Sequence, residues 1–129
     1  MKPSDSLDVL IVETDPDLGR LWQRHLEREG ARVTLTQTAE AGFDRLREGH
    51  VDMIVADLDL PGSGAMAVAD YAAYRHPAAK VVFVTASSFF SDGLVFSMSP
   101  NACAFLPSKT PPEDLATIVS HHGDRVAKH

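Results

Sequence analysis

The chain has one cysteine, Cys103, among 129 residues, which excludes an intramolecular disulfide and leaves no pair of thiolates for a structural zinc. A reducing, cytoplasmic setting suits such a chain. It also lacks any apolar run approaching the roughly 18 residues that a membrane helix needs. Its opening residues, MKPSDSLD, carry no long apolar stretch of the kind that directs export. No membrane association is expected. Basic residues are scarce as well: 12 Lys and Arg stand against 18 Asp and Glu, for a formal charge of -6. A protein that grips a phosphate backbone needs clustered Lys and Arg, so nucleic acid is not expected as a direct partner. The six histidines show no ligand spacing shared with the cysteine, and neither an internal repeat nor a low-complexity tract is found.

What the chain does have is enough apolar residue, 44%, for the core of one ordinary domain. Short aliphatic runs alternate with stretches of helical periodicity. DVLIV (8–12) reads as a buried strand. A helix follows from Pro16 to Gly30, with Asp15 as its cap, Leu18, Leu21, Trp22 and Leu26 on one face, and Gly30 to stop it. RVTLT is a second strand, and Thr38 opens a helix to about His50. VDMIVA, KVVFVTA and ACAFL are three further strands, GAMAVADYAAYRH is an Ala-rich helix, and PPEDLATIVSHH is a last helix. The segment SSFFSDGLVFSMSP (87–100) mixes core residues with helix-weakening Ser and Gly and is left without an assigned element. Residues 1–7 and 123–129 read as tails around one domain spanning 8–122.

Strands alternating with helices of this length need right-handed crossovers, which build a parallel sheet covered on both faces. The expected architecture is a doubly wound α/β sandwich of five parallel strands, in the common order 2-1-3-4-5. Strands buried on both faces read as continuous apolar runs, as DVLIV and KVVFV do. In such sheets ligands bind beyond the carboxyl ends of the strands, where the strand order reverses. That crevice would receive Glu13, Thr14 and Asp15 from the first strand and Asp57 and Asp59 from the third. Carboxylates gathered there repel one another and favour a hard cation such as Mg²⁺. The fourth strand delivers Thr85 to the same edge, and the fifth leads to Lys109. Acids, a hydroxyl and an ammonium together suit phosphoryl transfer, with Asp57 as the carboxylate nucleophile.

Four landmarks in order, VLIVETDP, VDMIVADLDLPG, VFVTA and AFLPSKTPPEDL, make residues 8 to about 122 resemble the receiver domain of two-component response regulators. The resemblance implies a flavodoxin-like (CheY-like) three-layer sandwich. It implies Asp57 as phosphoacceptor, Glu13 as a member of the acidic pair, and Mg²⁺ held by Glu13, Asp57 and the main-chain carbonyl of Asp59, whose side chain is then incidental. It further implies Thr85 and Phe105 as switch residues and Lys109 as the cationic partner of the phosphate. Two positions depart from the family pattern. Thr14 stands where the second acid of the pair is usual, and Ser108 occupies the usual lysine position, with Lys109 one residue late. Asp15 is a candidate to replace the acid, but a helix cap would point elsewhere.

The implied partners are a histidine kinase or phosphotransfer protein upstream and an output protein or domain downstream. A homodimer through 87–122 is a further expectation, with Phe89, Phe90, Phe96 and Met98 as either docking patch or core. The leading reading is a phosphorylation-controlled signalling module rather than a turnover enzyme. Two others are carried beside it. One is a degenerate receiver that binds a partner without phosphate, motivated by Thr14 and Lys109. The other is a phosphatase of the haloacid dehalogenase type, because DLD after a strand imitates its paired aspartates. Trp22 and Cys103 are expected in the core.

Overall fold

The computed structural model describes residues 6–86 and 100–127, with side chains to Gly123. The expectations for Phe89, Phe90, Phe96 and Met98 lie outside these residues. In chain order the elements are β1 (Asp8–Val12), α1 (Pro16–Arg28), β2 (Arg32–Thr36), α2 (Ala39–Glu48), β3 (Met53–Asp57), α3 (Gly64–Arg75), β4 (Lys80–Thr85), β5 (Ala102–Pro107) and α4 (Pro112–Ala127). The strands form one five-stranded sheet in the order β2-β1-β3-β4-β5, and every pairing is parallel. This is the topology read from the alternating pattern.

Each central strand divides its apolar side chains between two cores, as a period of two requires. Val9, Ile11, Met53, Val55, Val82 and Val84 pack under Trp22 and Leu26 of α1 and Leu115 and Val119 of α4. Leu10, Val12, Ile54, Ala56, Val81 and Phe83 pack under Leu46 of α2 and Val68, Ala69 and Ala72 of α3. Burial on both faces explains why these strands are uninterrupted apolar runs. Trp22 is fully buried, as expected, and Cys103 is partly so, its thiol pushed up to about 11 by desolvation.

Local chemistry fixes where elements begin and end. The Asp15 carboxylate accepts the N–H groups of Asp17 (3.0 Å) and Leu18 (3.4 Å), closing the first turn of α1. Gly30 (φ 98°) and Gly62 (φ 64°) take the left-handed conformations that end α1 and turn the chain after β3.

Three details differ from the sequence reading. First, α4 runs on to Ala127 rather than stopping at His122, so His121 and His122 lie within the helix. Gly123 is buried there, and a Cβ on it would come within 2.3 Å of Leu7 Cδ1. Second, β3 begins at Met53 and includes Asp57, which makes that carboxylate the last residue of the strand. Third, the β4–β5 register slips between Val81 and Val82, whose partners are Ala102 and Ala104, so Cys103 is bulged out of the ladder.

Candidate functional site

The carboxyl edge of the sheet gathers the polar ends of four strands. Val12 pairs with Ala56, so Glu13 and Asp57, each one residue further, sit side by side on the same face. Glu13 stays tied to the neighbouring strand through its N–H to Thr36 O (3.0 Å). Asp57 pairs with Val84, which sets Thr85 on the far side. Ser108 N–H bonds Thr85 O (2.8 Å), carrying the ladder past the end of β5. Glu13, Asp57 and Thr85 are all buried.

Burial governs the electrostatics of the acid pair. Desolvation pushes the Glu13 carboxyl up to about 7, a rise that the Asp57 carboxylate reinforces and the N–H of Asp15 opposes. Asp57 is also raised, chiefly by desolvation, although Asp59 N–H donates to its Oδ1 at 2.8 Å. Asp15 N–H reaches Glu13 Oε2 at 3.1 Å, whereas Glu13 Oε1 is buried with no hydrogen-bond partner. A buried carboxylate oxygen without a donor, beside a second carboxylate, fits a bound cation.

Of the two residues after Glu13, Thr14 carries no carboxylate. Thr14 is exposed and lines a cavity of about 170 Å³ with Gln37, Thr38, Glu40, Leu60 and Pro61. Asp15 caps α1 through Oδ1, and its charge also acts on Glu13. Lys109 is exposed on the turn after β5, which Thr110 closes through its N–H to Pro107 O (3.0 Å). Among the described residues it makes no ion pair, while half-buried Ser108 lies closer to the strand ends. Phe105 is half-buried in β5 and packs against the core beneath α2 and α3.

The residue that sequence reasoning undervalued is Asp59. Its side chain accepts the Thr85 hydroxyl at 3.0 and 3.2 Å and the Ala86 N–H at 2.8 Å, fastening the turn after β3 to the end of β4. The signal was present as a second acid two residues beyond the strand-terminal one. Which neighbour it would meet depended on the β3–β4 register.

A second group of ligand-type side chains, Asp8, His50 and Asp52, lies at the opposite edge, around the start of β1 and β3. There the Arg32 guanidinium holds Asp8 through two bonds of 2.8 and 3.1 Å. Asp52 accepts Asp8 N–H (3.0 Å) and pairs with His50 Nε2 (2.6 Å). This is an ion-pair cluster tying strand starts together, separate from the acidic pair of Glu13 and Asp57.

The response regulator receiver domain model matches residues 9–120, nearly the whole described fold and all of the acidic edge. The chain belongs to that family. Among solved structures, the response regulator receiver domain protein (CheY-like) from Methanospirillum hungatei superposes with a TM-score of 0.84, at 24% identity, covering 95% of this chain and 98% of its own. A signal receiver domain from Vibrio parahaemolyticus gives a TM-score of 0.80 at 24% identity, covering 94% and 92%. Both likenesses concern the fold. Among curated relatives, the response regulator receiver protein CpdR of Brucella abortus is 27% identical over 77 residues, which are 60% of this chain and 64% of the relative. The transcriptional regulatory protein MalR of Bacillus subtilis is 29% identical over 84 residues, 64% of this chain and 36% of the relative. This receiver thus accounts for only part of the length of those proteins. Receivers are signalling phosphoacceptor domains that typically bind Mg²⁺ in an acidic pocket. In this one the acidic edge is the end of β1 and β3. No helix among the described residues is long and apolar enough to cross a membrane.

Proposed function

We propose that Asp57 is the phosphoacceptor of this receiver. The observation that carries the reading is the buried carboxyl pair of Glu13 and Asp57, with Thr85 across the β3–β4 register from it. Oδ1 of Asp57 accepts Asp59 N–H, and Oδ2 would be the attacking atom. A bond forms from Oδ2 to phosphorus as the bond from phosphorus to the donor breaks, and the donor, an imidazole nitrogen of a histidine kinase or phosphotransfer protein, leaves with the electron pair and takes up a proton. Glu13, Asp57 and the main-chain carbonyl of Asp59 would hold Mg²⁺, whose charge offsets that on the transferred oxygens. Lys109 would approach the same oxygens from the turn after β5, on a stem long enough to bend inward. Thr85 and Phe105 would then change position and alter the affinity of an output partner.

A second reading, a receiver that works without phosphate, draws on Thr14 in place of an acid and on the exposed Lys109. Labelled acetyl phosphate over a Mg²⁺ titration up to saturation separates the two. The native chain is expected to take label, Asp57→Asn to lose it, and Thr14→Asp to need about tenfold less Mg²⁺ for the same labelling, since an added carboxylate near the ion is worth at least that factor. A native chain that stays unlabelled at saturating metal removes the first reading and leaves the second.

A further inference from the structure

Asp59 does two opposed things. Its main-chain N–H supports the Asp57 carboxylate (2.8 Å), while its own carboxylate takes up the two donors at the end of β4, the Thr85 hydroxyl (3.0 and 3.2 Å) and the Ala86 amide (2.8 Å). These donors converge on one small anion beside Asp57. We infer that the Asp59 carboxylate is a built-in anion, exposed at the strand edge, seated where an oxygen of a phosphoryl group on Asp57 would be received, so that it restrains the switch until a stronger anion displaces it. The inference rests on Asp57 being the phosphoacceptor.

The competition follows from donor counting. A threonine hydroxyl carries one proton to donate and an amide carries one. Neither can serve Asp59 and a phosphoryl oxygen fully at once. Thr85 is buried, so water cannot freely take over when one acceptor leaves. A phosphoryl group arriving on Asp57 brings a higher charge than a carboxylate, and charge strengthens such bonds. It therefore draws the Thr85 O–H and Ala86 N–H away from Asp59, and the Asp59 side chain, already exposed, is left to solvent, where a carboxylate is well hydrated. The turn after β3 is released from β4 in the same event. Asp59 is thus a positioning residue: it acts through Thr85 and Ala86.

Two measurements on the full chain test this. The first needs no phosphate. The Thr85 methyl carbon shift in NMR spectra reports its side-chain rotamer, and Asp59→Ala and Asp59→Asn should both move it away from the native value, the alanine variant further. An unchanged shift in Asp59→Ala overturns the inference. The second follows phospho-Asp57 at fixed acetyl phosphate and saturating Mg²⁺. Losing a charge-assisted competitor should raise the steady-state level or lifetime of the phosphorylated form about tenfold in both variants. A purely structural role for Asp59 would lower thermal stability without that gain. Unchanged or reduced phosphorylation in both variants overturns the inference. If the native chain and variants alike take no label, the phosphoacceptor reading fails, and the Thr85 signal still decides whether Asp59 holds the hydroxyl.

Discussion

Glu13 shows how far position outweighs residue type. On an exposed loop it would be an ordinary carboxylate, whereas one residue past β1, buried beside Asp57, its carboxyl is pushed up to about 7. The sign of the linkage follows. Between about pH 4.5 and 7 the folded chain binds more protons than the unfolded chain, so stability must fall as pH rises through that window. Asp57, raised as well, acts in the same direction. In metal-free protein the denaturant-derived stability is expected to drop with a slope approaching about 1.4 kcal/mol per pH unit. Glu13→Gln should flatten that slope, and a metal-free stability that climbs with pH over the window would contradict the buried pair. Added Mg²⁺ should oppose the drop, because a bound cation favours the ionised acids. Asp59 teaches the complementary lesson: its spacing from Asp57 is visible in DLD, yet its hydrogen bonds are to residues of another strand.

Among the elements, α1 was legible in detail because its signals are local. Asp15, Pro16, Trp22, Leu26 and Gly30 are all within one short stretch and serve as read, while Leu21 of the same stripe is only half-buried. Asp15→Ala should cost about 1 kcal/mol through loss of the cap, measurable as a lower denaturant midpoint with an unchanged slope. A loss near zero would mean that the bonds to Asp17 and Leu18 contribute nothing net. The same bonds hold Asp15 Oδ1 to the start of α1, while the charge of that carboxylate still acts on Glu13. At the other edge, the β5 bulge at Cys103 could not be read from ACAFL, because register belongs to a pair of strands rather than to one. The positions of Ser108 and Lys109 relative to Thr85 inherit that pairing.

At the scale of the whole molecule, residues just outside the sheet, Leu7 before β1 and Gly123 in α4, pack against each other. Leu7 is buried, and the backbone of Gly123 in α4 leaves room for its side chain. A fragment limited to residues 8–122 loses this packing and should be less stable by about 2 kcal/mol, the worth of one buried leucine. Leu7→Ala in the full chain should show a loss of the same order. Equal midpoints for fragment and full chain would show that this contact contributes nothing net. The composition of the chain and its alternation of apolar runs with amphipathic stretches were enough to determine a doubly wound parallel sheet, and with it the edge where Glu13, Asp57 and Thr85 meet. Those signals are carried by contiguous residues, and right-handed crossovers leave few ways to assemble them. Folding in three dimensions alone decided that the Glu13 carboxyl would be pushed up by burial, that Asp59 would bind Thr85 and Ala86, that Cys103 would bulge, and that α4 would continue past His122 over Leu7. Each of these outcomes depends on burial or register between segments distant in the chain, quantities that no single stretch of residues contains.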